Sequence, residues 1–427
     1  MVRFFIVAVL GTLIPLPTVD AGEPKKAGSA KPIAVAPGDW PWWRGPNRDG
    51  IADAKQNPPI KWSEKENVLW QTPVPGRGHG SPIVVGDQVF LGTATAKDET
   101  QSVLCFDRKT GQQLWETIVH KGNFVKGGNA KSTLASATLA CDGERVFANF
   151  LNDKAIHATA LSRDGKILWQ TKVTDYALHQ GFASSPTVYQ SLLLVVADSK
   201  AKGLIAGLDR ATGTIVWQVE RPKLPNYASP IIHKIDGRDQ LFFIGCNLVV
   251  SLDPLTGKKY WETKGSTEEC VSSTVTDGKL IITSGGFPKQ HVAAIHADGS
   301  MKTAWEIKTQ VYVPSMIYHR GHLFAVSDNG MALCWKFDTG KEVWKERLGG
   351  VFSASAVLVG DHFYATNEAG KTFIFKAHLE KFELVAENQL AMETLATPTI
   401  CGGRIYIRAA VTLNKQRQEM LYCVGRE

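Results

Sequence analysis

The side chains able to make or break bonds are thinly spread along this 427-residue chain. Its 11 His include His79, His157, His179, His233, His291, His319 and His322, and no two have the spacing or company of metal ligands. Such isolated rings are expected at turns and on the surface. The segments between strand-like runs hold few carboxylates, chiefly the pair Glu268-Glu269 and the lone Glu393. A hard cation takes oxygen ligands of this kind, but two consecutive Glu on a loop are expected to be solvated. The 7 Cys are an odd number with no adjacent pair and no Cys-x-x-Cys. Cys105, Cys246, Cys334 and Cys423 fall in or beside strand-like runs, where a small buried side chain is expected. A phosphate-cradling Gly loop, a nucleophile elbow and a zinc motif are all missing.

What remains suits binding rather than bond making. His79 and His179 stand just ahead of strand-like runs, near Arg77, Phe182 and Tyr227. Lys126 and Lys131 lie on the longest connector, 120–131, which also carries Gly122, Gly127 and Gly128. Binding groups concentrate on loops held by a rigid frame. These seven residues are therefore expected to form one rim, the partner or ligand face.

A repeat must supply that frame. Asp107-Arg108-Lys109-Thr110-Gly111 leads to Trp115, Asp209-Arg210-Ala211-Thr212-Gly213 to Trp217, and Asp253-Pro254-Leu255-Thr256-Gly257 to Trp261. The Asp can cap backbone N–H groups ahead of it, and the Gly takes a positive φ without a Cβ clash. The Trp then buries its ring against the neighbouring copy, so Trp70, Trp115, Trp169, Trp217, Trp261, Trp305 and Trp344 are expected to dock the copies together. They recur at roughly forty to fifty-five residues, the period of a propeller blade, and Val, Ile, Leu, Phe and Thr alternate within each copy. A degenerate copy ends at Val385, where Lys376–Lys381 replaces the Asp-x-x-Thr-Gly turn.

A second column sets the count. Small-residue steps centre on Ser81, Ser136, Ser185, Ser229, Ser273, Pro314, Ser355 and Thr397. Inner strands converge on an axis, where space per side chain is least, so eight steps predict eight blades. Trp70 ends a strand without the three that should precede it, whereas 395–424 supplies three strand-like runs and no Trp strand. The two ends complete one blade and close the ring, leaving no exposed sheet edge. The expected fold is all-β: an eight-bladed propeller of four-stranded antiparallel blades over 66–427, closed by the N-terminal strand.

Residues 1–21 read as a secretory signal, with Arg3, an apolar run over 4–16 and the small-x-small step Val19-Asp20-Ala21. Residues 22–38 read as a flexible linker and 39–65, with Trp40, Trp42 and Trp43, as a strap packed on the propeller. No later run is long and apolar enough to span a bilayer, so a periplasmic or secreted protein is expected. The net charge is +7, but 48 basic and 41 acidic residues are interspersed, which argues against a nucleic-acid stripe.

This pattern resembles the quinoprotein-like propellers, whose repeat is Ala-x-Asp-x-x-Thr-Gly-x-x-x-Trp, with close copies at Asp107–Trp115, Asp209–Trp217 and Asp253–Trp261. The family implies two kinds of function: quinone-dependent alcohol or sugar dehydrogenases, and non-enzymatic scaffolds such as the propeller subunit of the outer-membrane β-barrel assembly machinery. The methanol-type dehydrogenases carry adjacent cysteines, and some members a Cys-x-x-Cys-His haem motif. This chain has neither. It is most similar to secreted members with a Trp-Arg-Gly-Pro segment, here Trp43-Arg44-Gly45-Pro46. The expectation is a non-catalytic extracytoplasmic scaffold that binds a protein, peptide or glycan, with no catalytic residue, cofactor or metal. The alternative is a dehydrogenase using pyrroloquinoline quinone (PQQ) and calcium. The oligomeric state, any disulfide and the partner's identity stay open.

Overall fold

The computed structural model describes residues 31–426, so the expected signal at 1–21 lies outside the described residues. Its regular elements are all strands, arranged as eight antiparallel four-stranded blades. Blade 1 is Ile83–Val85, Gln88–Thr95, Thr100–Asp107 and Gln113–Lys121, from axis to rim. Blades 2 to 7 repeat that order. Blade 8 takes Thr399–Cys401, Arg404–Leu413 and Gln416–Val424 from the C-terminus, and its outermost strand, Val68–Val74, from the N-terminus. Trp70 registers with Cys423, as Trp115 does with Cys105 inside blade 1. The inner strand Ile83–Val85 lies beside both Ala140–Cys141 of blade 2 and Thr399–Cys401 of blade 8, so the ring is closed.

The repeat does its work between blades. Asp107 Oδ1 accepts from the backbone N–H groups of Lys109 and Thr110 at 3.0 and 2.7 Å, and Gly111 turns at φ +74°. That bare Gly is the seat of the preceding blade's Trp: a Cβ on Gly111 would lie 2.4 Å from the Trp70 ring, and one on Gly213 2.6 Å from Trp169. The indole N–H then donates to a carbonyl of the same turn, Trp70 to Arg108 at 3.2 Å and Trp169 to Arg210 at 3.1 Å. A Thr two residues on adds a second bond, Thr72 to Gly111 O at 2.7 Å and Thr171 to Gly213 O at 2.8 Å. In blade 7, where the turn is replaced, Trp344 donates to His378 O instead.

At the hub, the backbone N–H of one blade donates to a hydroxyl of the next: Ser81 to Thr138, Thr138 to Ser185, Ser185 to Ser229, Ser273 to Ser315, Ser315 to Ser355 and Ser355 to Thr397, at 2.9–3.0 Å. The expected column is corrected in two blades. Thr138 rather than Ser136 serves blade 2, because Ser136 turns back to bond Thr133. Ser315 rather than Pro314 serves blade 6, since Pro offers neither an N–H nor a hydroxyl.

The N-terminal segment crosses the face formed by the turns between first and second strands. Ala34 N–H donates to Asp142 O at 2.8 Å, Asp39 Oδ1 accepts from Gly86 N–H, and Trp40 pairs with Val84. Buried Arg44 donates to Met316 O, Arg48 to Val188 O, and Ile51–Ala52 pairs in parallel with Leu358 and Val359. Trp62 stacks on Tyr364, with ring centroids 6.4 Å apart. One face of the ring is thus covered, and Trp43 extends from the cover to the axis, where its indole N–H donates to Ser273 Oγ at 3.0 Å.

Candidate functional site, an axial funnel

The opposite face is built from the loops that hand one blade to the next. They surround a cavity of about 400 Å³ whose lining includes Trp43. A simple register positions the wall. The residue two places before each hub hydroxyl lines the cavity: His79, Ser136, Ala183, Tyr227, Val271, Val313, Ser353 and Leu395. The hub bonds lock each inner strand's height, so the same position of every blade is presented to the axis.

Glu269 is the acidic centre of this funnel. Its side chain is only 5% exposed, Tyr312 Oη donates to Oε2 at 3.2 Å, and His179 Nε2 stands 3.3 Å from Oε1. The expectation of a solvated Glu268-Glu269 pair is therefore wrong for Glu269. Two loops of other blades reach over it, and burial is decided by those loops rather than by the local sequence. Burial and the nearby Glu269 charge push the Tyr312 and Tyr227 phenols far above their ordinary range, so both stay protonated. The Tyr227 hydroxyl accepts the backbone N–H of Gln180 at 3.3 Å. Burial, and then the cations Arg77, Arg408 and Arg417, push His79 down to about 3. It is a neutral ring at physiological pH.

The other expected rim residues divide. Lys131 lines the funnel and pairs with Glu368 at 2.8 Å, and Glu368 also accepts from Ser353 Oγ at 2.6 Å. Phe182 is buried, lines the funnel and meets Tyr176 edge-on. His179 reaches the site through Glu269. Arg77 and Lys126 stand apart. Arg77 lies 3.7 Å from Glu393, which Arg417 holds at 2.9 Å and depresses below the usual carboxylate range. Lys126 lines a neighbouring recess of about 520 Å³ under the long connector, where Asn149 is buried with both amide atoms lacking a partner among the described residues. Sequence reasoning placed Trp43 in the strap rather than in the site, and missed Tyr312, Glu368 and the buried state of Glu269. The signal that finds the wall is the two-residue offset from the hub hydroxyls, readable only once the hub register is known.

The quinone-and-calcium alternative is a poor match to this donor set. Calcium takes six to eight oxygens, typically with several carboxylates. Among the described residues, Glu269 is the only acidic side chain on the funnel lining, one carboxylate where calcium needs several. No group of three His, Cys, Asp or Glu suited to a metal occurs among the described residues. The quinone is a tricarboxylate, whereas the lining's single Lys is paired with Glu368. All seven thiols are buried and unpaired, with burial holding Cys105, Cys141 and Cys334 up at about 12.

Comparison with known proteins places this geometry. The chain is 29% identical over 151 residues to the outer membrane protein assembly factor BamB of Yersinia pestis, covering 35% of each chain. It is 25% identical over 224 residues to a polyvinylalcohol dehydrogenase of a Pseudomonas species, covering 48% of this chain and 32% of the relative. The chain thus spans about a third of the length of these two relatives. It is also 25% identical over 358 residues to BamB of Burkholderia pseudomallei, covering 77% of this chain and 84% of the relative. Among solved structures, BamB from Moraxella catarrhalis matches 83% of this chain and 96% of its own, with TM-score 0.57 and 13% identity. A europium-containing methanol dehydrogenase matches 91% and 98%, with TM-score 0.65 and 12% identity. These two likenesses concern the fold alone. The family model described as outer membrane protein assembly factor BamB matches residues 56–175 and 99–346, and the chain belongs to that PQQ_2 family of repeat propellers.

Proposed function

We propose that this protein is a non-catalytic extracytoplasmic scaffold that binds a protein partner through its loop face. The observation that carries the reading is the asymmetry of the two faces. The strap covers the axial part of one face, where the exposed apolar groups are the outer-turn residues Leu255 and Met301, whereas the other carries Phe287 at 50%, Val351 at 48% and Met392 at 66% exposure on loops beside the funnel. Val351 and Met392 belong to adjoining loops, and Phe287 to the funnel wall. Phe287 lines the funnel, Val351 O accepts from Glu368 N–H, and Glu368 O accepts from Thr394 N–H, two residues beyond Met392. Exposed apolar groups rimmed by charge mark interaction surfaces. The names of the BamB relatives favour a place in outer-membrane protein assembly, and a periplasmic or secreted location follows the N-terminal signal read from sequence.

The test has two arms. Val351→Asp with Met392→Asp should abolish capture of envelope proteins by the immobilised full chain without moving its melting temperature. Capture unchanged by both substitutions sinks the loop-face reading. Adding PQQ and Ca²⁺ should give no stoichiometric change in the quinone spectrum and no dye reduction with alcohols or sugars. Turnover in that assay establishes the dehydrogenase instead.

A further inference from the structure

The funnel's chemistry specifies the kind of group it accepts. Its one buried carboxylate, Glu269, stands beside Tyr312 and in a cavity shared with Tyr227, Phe182 and Phe287. Trp43 contributes a further ring, fixed by its bond to Ser273 Oγ. Aromatic faces carry negative potential and attract cations, more strongly where water is excluded. The lining's own cation is committed elsewhere, since Lys131 is bonded to Glu368. His79, driven to its neutral form, adds no positive charge. An anion would meet Glu269 unopposed by a free lysine, whereas an ammonium or guanidinium group finds a carboxylate, flanked by Tyr312 and His179, in a cavity lined by aromatic side chains.

The geometry points to a cation receptor. Resting on the loop-face reading above, the funnel takes the side chain of a lysine or arginine in an extended segment of the partner, its charged head at Glu269 and its methylene stem along Phe182 and Phe287. A small amine offers the same chemistry, and the experiment separates the two sources.

The full chain is titrated by calorimetry with Nα-acetyl-lysinamide, Nα-acetyl-argininamide, choline and the uncharged Nα-acetyl-norleucinamide. A capped Gly-Gly-Lys-Gly-Gly peptide is compared with its norleucine counterpart. The lysine and arginine ligands should bind at one site, with the norleucine ligands about tenfold or more weaker. Glu269→Gln, which keeps an acceptor for Tyr312, should weaken the cations by a similar factor. Phe287→Ala, an exposed position, provides a second variant free of folding effects and should weaken them severalfold. Equal binding of lysine and norleucine ligands, an unaltered affinity in Glu269→Gln, or no binding of any cation overturns the inference. A lysine peptide about tenfold tighter than the free amide supports the partner side chain as the source. Choline and the free amide matching the peptide overturn that source in favour of a small amine. If no cation binds while Val351→Asp with Met392→Asp still abolishes capture, the funnel inference fails and the scaffold reading stands. If cations bind and capture is unaffected by those substitutions, the failures are reversed.

Discussion

Trp70 sits on Gly111. The first strand of the ring thereby docks on the turn of blade 1, although it belongs by hydrogen bonding to blade 8. Closure is thus a side-chain event as well as a backbone one. Gly111→Ala faces both the positive φ of +74° and the ring of Trp70 at 2.4 Å, and should cost about 2–4 kcal/mol. In a Trp70→Ala background the ring clash is gone, leaving the backbone strain of about 1–2 kcal/mol and a contact with Thr72 Oγ1 at 2.9 Å that this side chain can relieve by rotating. Denaturant unfolding of the four proteins in this cycle measures the coupling, and additive losses would mean that Trp70 does not seat on Gly111.

The indoles are not equivalent. Trp305 N–H donates to Phe337 O at 3.0 Å, whereas the buried Trp217 Nε1 has no partner among the described residues. Trp305→Phe should therefore be about 1 kcal/mol more destabilising than Trp217→Phe. Trp217→Ala should still cost about 3–5 kcal/mol as a large-to-small change between blades. Equal losses for the two Phe variants, compared by thermal and chemical unfolding, would remove the N–H bond from the account.

The hub ring makes an opposed pair. Ser185 Oγ accepts the Thr138 N–H at 3.0 Å, so Ser185→Ala strands a buried donor and should cost about 1–3 kcal/mol. Ser81 Oγ is buried without a partner among the described residues, and Ser81→Ala should change stability by less than about 0.5 kcal/mol. The reverse ordering in equilibrium unfolding contradicts the hub arrangement.

His79 gives the acid limb of stability a definite sign. Its folded pKa is lowered to about 3 by burial and then by Arg77, Arg408 and Arg417, against 6.5 for a free ring. The unfolded chain therefore takes the proton first on acidification. The stability held by neutral His79 is whole above pH 6.5 and is lost as pH falls towards 3. His79→Gln should flatten the fall of unfolding free energy across that window. An unchanged slope between pH 6 and pH 4 would show that the ring is protonated in the fold.

The blade was legible in sequence because each of its determinants is local. Asp107, Gly111 and Trp115 sit within one turn and one strand, and the same turn at Asp209 and Asp253 encodes the same geometry. The hub was nearly legible, failing where neighbouring small residues competed: Ser136 and Thr138 both offer a hydroxyl, and only the height of the inner strand selects Thr138. Glu269 was not legible at all. Its burial depends on His179 and Tyr312, which come from loops of other blades.

By itself, then, the order of residues determined the all-β class, the blade count and the joining of the two ends, since turn chemistry and strand alternation act over a few positions. The tertiary structure alone decided which side chains meet at the axis. It placed Tyr227 and Glu269 in one cavity while sending Arg77 to Glu393 and Lys126 to a separate recess. Proximity across a ring is set by the summed rotation of every blade between two loops, and no local stretch of chain encodes that sum.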